Sequence, residues 1–150
     1  MSYPTEVLPA HHKHCDDLFV AAEEAVQSGD WTAATPACAR LCDQMKAHFT
    51  AEEDTLFPAF EAATGNSSGP TRVMRMEHEQ MRPLLAQLEA ACAAQDGEAY
   101  AGAAETLLIL MQQHNMKEEN ILYPMCDQAL GAEAEKIGAE MSALLEQGHA

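Results

Sequence analysis

Apolar residues recur every three to four positions along most of the chain, which predicts amphipathic helices rather than strands. The clearest stripe contains Leu8, Cys15, Leu18, Phe19, Ala22 and Val26. Turn-forming residues interrupt the pattern at positions 28–30, 65–70 and 95–97. The pattern therefore predicts helices over about 9–27, 31–63, 71–94 and 98–130, followed by a shorter helix over about 133–147.

One segment occurs twice, in the second and fourth predicted helices. The sequence HFTAEEDTLFP, which begins at His48, is matched 66 residues later by HNMKEENILYP, which begins at His114. Because the His and the first Glu are four residues apart in both copies, they lie on one face of a helix. Pro58 and Pro124 should kink these two helices, since proline removes a backbone donor.

The 66-residue offset extends beyond the repeated segment. It also aligns Leu41 with Leu107 and Met45 with Met111, so the chain consists of two related helical hairpins. Two hairpins of long helices with short connections predict an all-α, up-down four-helix bundle. We expect residues 1–150 to form one domain, with the bundle over about 9–130 and the short additional C-terminal helix over about 133–147.

The histidines and the repeated carboxylates predict a metal site in the bundle core. His48, Glu52, His114 and Glu118 come from the repeat, while the first and third helices contribute histidines at a similar level: His11, His12, His14 and His78. Imidazole and carboxylate ligands suit a redox-active first-row metal, and each carboxylate has two oxygens with which to span a pair of ions. Three further carboxylates are candidates to orient the imidazole N–H groups, namely Glu53, Glu77 and Glu119; for Glu53 and Glu119 a position on the solvated surface fits the sequence equally well.

The three histidines of the first helix point in different directions. With Cys15 as the centre of the inward stripe, His11 lies about 40° to one side, His12 about 60° to the other, and His14 about 100° away. This geometry favours His11 as the ligand. His14, one turn further along, remains a candidate for an additional ligand or for a proton donor.

Composition restricts the partners and the compartment. Eight Lys and Arg against 24 Asp and Glu give a formal net charge of −16, which argues against nucleic acid or an anionic membrane as a partner. There is no apolar run of membrane-spanning length and no secretion signal, so we expect a cytoplasmic protein. The five cysteines lack a C-x-x-C motif, and we interpret them as reduced core residues.

The repeated motifs HxxxEExxLFP and HxxxEExxLYP, with His78 between them, resemble the hemerythrin-like (HHE cation-binding) domains. The resemblance covers about residues 8–130 and is closest to bacterial di-iron proteins that repair iron centres after nitrosative and oxidative damage. It implies a cofactor of two non-haem iron ions bound by His48, Glu52, His78, His114 and Glu118. On the first helix it matches His11-x-x-His14-x-x-x-Leu18 and implies His11 as the ligand.

Two departures from the family pattern affect function. Oxygen-carrying members have a histidine at the position of Met74, and the repair proteins have an additional cysteine-bearing N-terminal domain. The resemblance as a whole implies that the protein handles oxygen, nitric oxide or peroxide in a stress response. The alternatives are a non-enzymatic iron-binding, oxygen-binding or sensing module, and a structural bundle that binds zinc adventitiously. Whether the protein is an enzyme, and whether it forms a homodimer, stay open at this point.

Overall fold

The long helices pair as the repeat predicts. The computed structural model describes residues 2–147. In chain order the elements are α1 (Pro4–Gln27), α2 (Trp31–Ala51), a π turn (Glu52–Leu56), α3 (Phe57–Thr64), α4 (Pro70–Ala94), α5 (Gly97–Lys117), a second π turn (Glu118–Leu122), α6 (Tyr123–Leu130), a 3-10 turn (Gly131–Glu133) and α7 (Ala134–Gln147). Helix α1 packs along α2, α4 packs along α5, and α2 faces α4. The predicted all-α four-helix bundle with an additional C-terminal helix is confirmed.

The helix ends follow from the turn residues. Asp30 and Asp96 occupy equivalent N-cap positions, and their side chains accept hydrogen bonds from the backbone of Ala33 and Ala99 at 3.1 and 3.0 Å. Gly65 ends α3 with a φ of 68°, a conformation that glycine adopts without strain.

Helix α1 begins at Pro4, five residues before the predicted start at Pro9. Pro4 suits the first turn of a helix because its missing N–H would be unpaired there in any case. The side chain of Leu8 is fully buried, so this extra turn belongs to the core.

Each repeated segment contains a π turn where the sequence predicts a proline kink. The N–H of Phe57 bonds to the carbonyl of Glu52, and the N–H of Tyr123 bonds to the carbonyl of Glu118, both five residues back. Pro58 and Pro124 follow directly in the next α-helical turn. The wider turn thus accommodates each proline, and each π turn begins at the repeated glutamate.

The core consists of two apolar clusters with a polar layer between them. The larger cluster fills the body of the bundle and includes Cys15, Met45, Met81 and Met111. The smaller one lies next to α7 and includes Leu8, Leu56, Met74 and Leu122. Between these levels lie six buried residues, called the His/Glu layer below: His12, His48, Glu52, His78, His114 and Glu118.

Helix α7 covers the end of the bundle next to the smaller cluster. It packs on α1, α2, α6 and the first π turn, and buries Met141 and Leu145 in that cluster. Gly138 faces the backbone of Ser2 so closely that a Cβ atom there would overlap the Ser2 carbonyl. None of the helices described is both long and apolar enough to cross a bilayer.

Candidate metal centre

Four residues of the His/Glu layer form the first candidate ligand group. Side-chain donor atoms of Glu52, His78, His114 and Glu118 all lie within 4.8 Å of one another. His78 Nε2 is 3.1 Å from Glu52 Oε1, and His114 Nε2 is 3.1 Å from Glu118 Oε1. Bonds of about 2.1 Å to one octahedral ion place adjacent ligand atoms about 3.0 Å apart, so these separations fit shared coordination.

A second group shares a glutamate with the first. His12, His48 and Glu118 again have donor atoms within 4.8 Å of one another. His12 Nε2 is 3.1 Å from Glu118 Oε1, and His48 Nε2 is 3.4 Å from Glu52 Oε2. Glu52 therefore turns one oxygen to His78 and the other to His48, which is the arrangement of a carboxylate able to span two ions.

Outer carboxylates fix the orientation of three histidines in the layer. His78 Nδ1 donates to Glu53 Oε2 at 2.7 Å, His114 Nδ1 donates to Glu77 Oε1 at 2.7 Å, and His12 Nδ1 donates to Glu119 Oε2 at 2.6 Å. Arg82 and Lys117 in turn hold Glu53 and Glu77. The expectation that Glu53, Glu77 and Glu119 orient the imidazoles is confirmed by these contacts.

Four inward atoms of the first group are buried and have no hydrogen-bond partner. Within the described part of the chain this holds for Glu52 Oε1, Glu118 Oε2, His78 Nε2 and His114 Nε2. In a neutral imidazole whose Nδ1 donates outward, Nε2 carries a lone pair. A lone pair 3.1 Å from a carboxylate oxygen, with both residues at most 1% exposed, requires a proton or a cation between the two atoms. The site therefore fits a cation.

Tyr123 places a hydroxyl group at the centre of the layer. Its single hydroxyl proton is shared between Glu52 Oε2 at 2.6 Å and Glu118 Oε1 at 2.9 Å, and the oxygen lies 3.2 and 3.3 Å from Nε2 of His12 and His48. Burial, together with the charges of Glu118 and Glu52, raises the pKa of Tyr123 well above its usual value, so the hydroxyl keeps its proton. Phe57 occupies the equivalent position in the first repeat and brings no such group.

The charge state of the metal-free layer follows from competing effects. Burial opposes a proton on His114, but the Glu118 carboxylate outweighs it and raises the pKa of His114 to about 9. Burial likewise opposes the charge on His12, yet its hydrogen bond with Glu118 raises its pKa. Burial disfavours the Glu52 carboxylate, but His48 and His78 hold its pKa well below the usual range. Without metal, protons on His12 and His114 balance part of the negative charge.

The candidate ligands predicted from the sequence fall into two sets. His48, Glu52, His78, His114 and Glu118 converge in the layer. His11 and His14 belong to neither ligand group in the described residues. His11 instead lies against His48 and Gln44, and His14 is half-buried with its ring 5.8 Å from that of His11. Burial and the neighbouring His48 lower the pKa of His11 to about 3, so it is neutral.

The sequence offers His12 as one of three candidate histidines on α1 without favouring it, and it gives no ligand role to Tyr123, which lies beside the residues of the His/Glu layer. His12 lies at the position on α1 that faces Glu118, although His11 was favoured on geometry. Both histidines are buried, so burial alone does not distinguish them. Tyr123 counted only as an aromatic position of the motif. The signal that was available is the change from Phe57 to Tyr123 between two otherwise parallel segments.

A small cavity adjoins one side of the layer. Its volume is about 10 Å³, the room of one water-sized molecule. His12 and His48 line it together with Cys15, Met45, Phe49 and Met111. A molecule there would meet two imidazoles, the amide of Asn115 and otherwise apolar or sulfur-containing side chains.

Comparisons with known proteins agree with this geometry. The family model of the hemerythrin HHE cation-binding domain matches residues 3–126. Searches of curated proteins and of solved structures each found no match. The matched region covers all four long helices and the whole His/Glu layer. The chain therefore belongs to the hemerythrin HHE cation-binding domain family.

Proposed function

We propose that the protein binds two iron ions in the His/Glu layer. The first ion is held by His78, His114, Glu52 and Glu118, and the second by His12 and His48 with the same two glutamates. The observation that carries the proposal is the pair of short N···O separations, at His78–Glu52 and His114–Glu118, together with four buried atoms of these residues, Glu52 Oε1, His78 Nε2, His114 Nε2 and Glu118 Oε2, that lack hydrogen-bond partners among the described residues. Iron matches a ligand set of imidazole nitrogens and carboxylate oxygens.

We assign the ligand on α1 to His12 in place of His11. The Nε2 atom of His12 lies 3.1 Å from the shared Glu118, whereas the two ring nitrogens of His11 contact His48 and Gln44. Replacing His12 by Ala should remove one iron per chain. Replacing His14 by Ala should leave two, because His14 lies in neither group.

We further propose that the centre handles oxygen, nitric oxide or peroxide. Bound iron would supply reversible electron transfer to a small molecule, and the chain supplies histidine and glutamate ligands, a protonated tyrosine and a small cavity beside His12 and His48. A role in oxidative or nitrosative stress fits these properties. The five cysteines are all free thiols, which supports a cytoplasmic setting.

Metal analysis of anaerobically purified protein, with its optical spectrum, tests the metal assignment. We expect two iron ions per chain, and a loss of both in the double variant Glu52→Gln, Glu118→Gln. Two irons retained in that variant would refute the assignment. Zinc in place of iron, without ligand-to-metal absorption, would support a structural bundle that binds metal adventitiously.

Turnover then distinguishes the two iron-based functions. Anaerobically reduced protein is mixed with peroxide or nitric oxide, and the loss of the small molecule is followed over several equivalents. Sustained consumption with an added reductant supports an enzyme. A single stoichiometric reaction supports the alternative, a sensing or binding module.

A further inference from the structure

The four histidines of the His/Glu layer differ in the partner that their Nδ1 atoms contact. Three of them direct Nδ1 to a carboxylate: His12 to Glu119, His78 to Glu53 and His114 to Glu77. The Nδ1 atom of His48 instead lies 2.8 Å from Nδ1 of another imidazole, that of His11. One of the four therefore meets a neutral ring where the others meet a negative charge.

The proton positions in this contact follow from the next residue outward. His11 Nε2 lies 2.9 Å from the side-chain oxygen of Gln44, and an amide oxygen only accepts hydrogen bonds. His11 Nε2 must therefore carry the proton, which leaves Nδ1 of the neutral ring as an acceptor. His48 Nδ1 donates to it, and the lone pair on His48 Nε2 points inward toward Glu52 and Tyr123.

We propose that His11 is a positioning residue that fixes the tautomer of His48. It also keeps His48 the weakest metal ligand of the four histidines. A carboxylate behind an imidazole increases its basicity toward a metal, and a neutral ring does so less. The ion bound by His12, His48 and Glu118 is consequently held more weakly than the ion bound by His78 and His114. This inference rests on the proposed two-iron site.

The surroundings of His48 agree with this asymmetry. The small cavity is lined by His12 and His48, so it adjoins the more weakly bound ion. His78, in contrast, is stacked on the ring of Phe49 at 4.2 Å between centroids and is tied to the Glu53–Arg82 pair. The first group is thus enclosed by a ring and an ion pair, whereas the second borders the small cavity.

Titration of metal-free protein with Co²⁺ against a chelating dye tests the proposal without relying on activity. We expect two unequal binding steps in the wild type. His11→Glu places a carboxylate behind His48 and should tighten the weaker step by about 10- to 100-fold, the range that outer partners typically control. His11→Gln keeps a neutral acceptor and should resemble the wild type, whereas His11→Ala should weaken that step.

A second, nearly isosteric variant tests the role of His11 by changing its other partner, Gln44, instead of His11 itself. Gln44→Glu strengthens His11 as an acceptor without changing either ring, and should tighten the weaker step in the same direction. The matched control is Glu53→Gln, which replaces a carboxylate by a neutral amide behind His78 and should weaken the tighter step. Variants that fold are recognised by helical circular dichroism equal to that of the wild type.

The possible outcomes separate the two proposals. Fewer than two Co²⁺ ions in the wild type would overturn the proposed metal site itself. Two ions bound in equal steps, or a weaker step unchanged in both His11→Glu and Gln44→Glu, would overturn the role of His11 alone. A purely structural role predicts that His11→Gln and His11→Ala lose affinity equally, so rescue by Gln decides against it.

Discussion

The affinity of the His/Glu layer for metal should rise steeply between about pH 7 and 9, because a proton on His114 competes with the ion. With its pKa raised to about 9, only about 1% of metal-free molecules have a neutral His114 at pH 7. Metal must displace this proton, so each pH unit in this range should increase the affinity about tenfold, or about 1.4 kcal/mol. His114 alone then accounts for a roughly 100-fold change.

The other histidines determine whether this slope is steeper or shallower. The pKa of His12 is also raised, which adds to the slope in the same direction. The pKa values of His11 and His48 are lowered, so both are already neutral above pH 7 and contribute nothing in this window. A total release of between one and two protons for the pair of ions is therefore expected.

Competition for Co²⁺ with a chelator of known proton affinity measures the slope. His14→Gln is the control and should keep it, because His14 belongs to neither ligand group. Glu77→Gln removes a hydrogen bond that raises the pKa of His114. The Co²⁺ affinity of this variant should therefore level off at a lower pH than that of the wild type. An affinity that stays constant above about pH 7.5 in the wild type would refute the reasoning, since an ordinary histidine is neutral there.

Three further predictions concern stability. Tyr123→Phe removes the hydrogen bonds to the buried carboxylates of Glu52 and Glu118, and should destabilise the metal-free protein by about 1–3 kcal/mol in urea unfolding; an unchanged midpoint would contradict this. Leu85→Ala empties a fully buried position in the larger apolar cluster, so we expect a loss of about 2–5 kcal/mol with two metal ions still bound, measured by denaturation and metal analysis. Gly138→Ala should cost about 1–3 kcal/mol because the new methyl group overlaps the Ser2 carbonyl, and wild-type stability would show that α7 is placed differently.

The sequence predicted the fold and the convergence of five layer residues because both depend on periodicity. His48, Glu52, His114 and Glu118 lie one helical turn apart in matched pairs, so any bundle that buries this face brings them together. His78 lies on the inward stripe of α4 between Met74 and Met81, which are both buried. These positions required no knowledge of side-chain contacts.

The details that escaped the sequence depend on contacts between helices. His11 and His12 lie on opposite sides of the inward direction of α1, at about 40° and 60° from it. Helical periodicity alone does not separate two angles of such similar size. Their roles are separated by partners on other helices, Gln44 for His11 and Glu119 for His12. The π turns escaped for a related reason, since a proline predicts an interruption but not its geometry.

The two π turns also bear on the origin of the chain. A π turn contains one residue more than the α-helical turn it replaces, so it corresponds to an insertion of a single residue. Both repeats contain it at the same place, directly after the histidine–glutamate spacing and directly before the proline. One insertion in an ancestral helical hairpin, followed by duplication of that hairpin, accounts for both copies, whereas separate origins require the same event twice. An ancestor of a single hairpin would have had to pair with a second copy of itself to complete a metal centre of this kind.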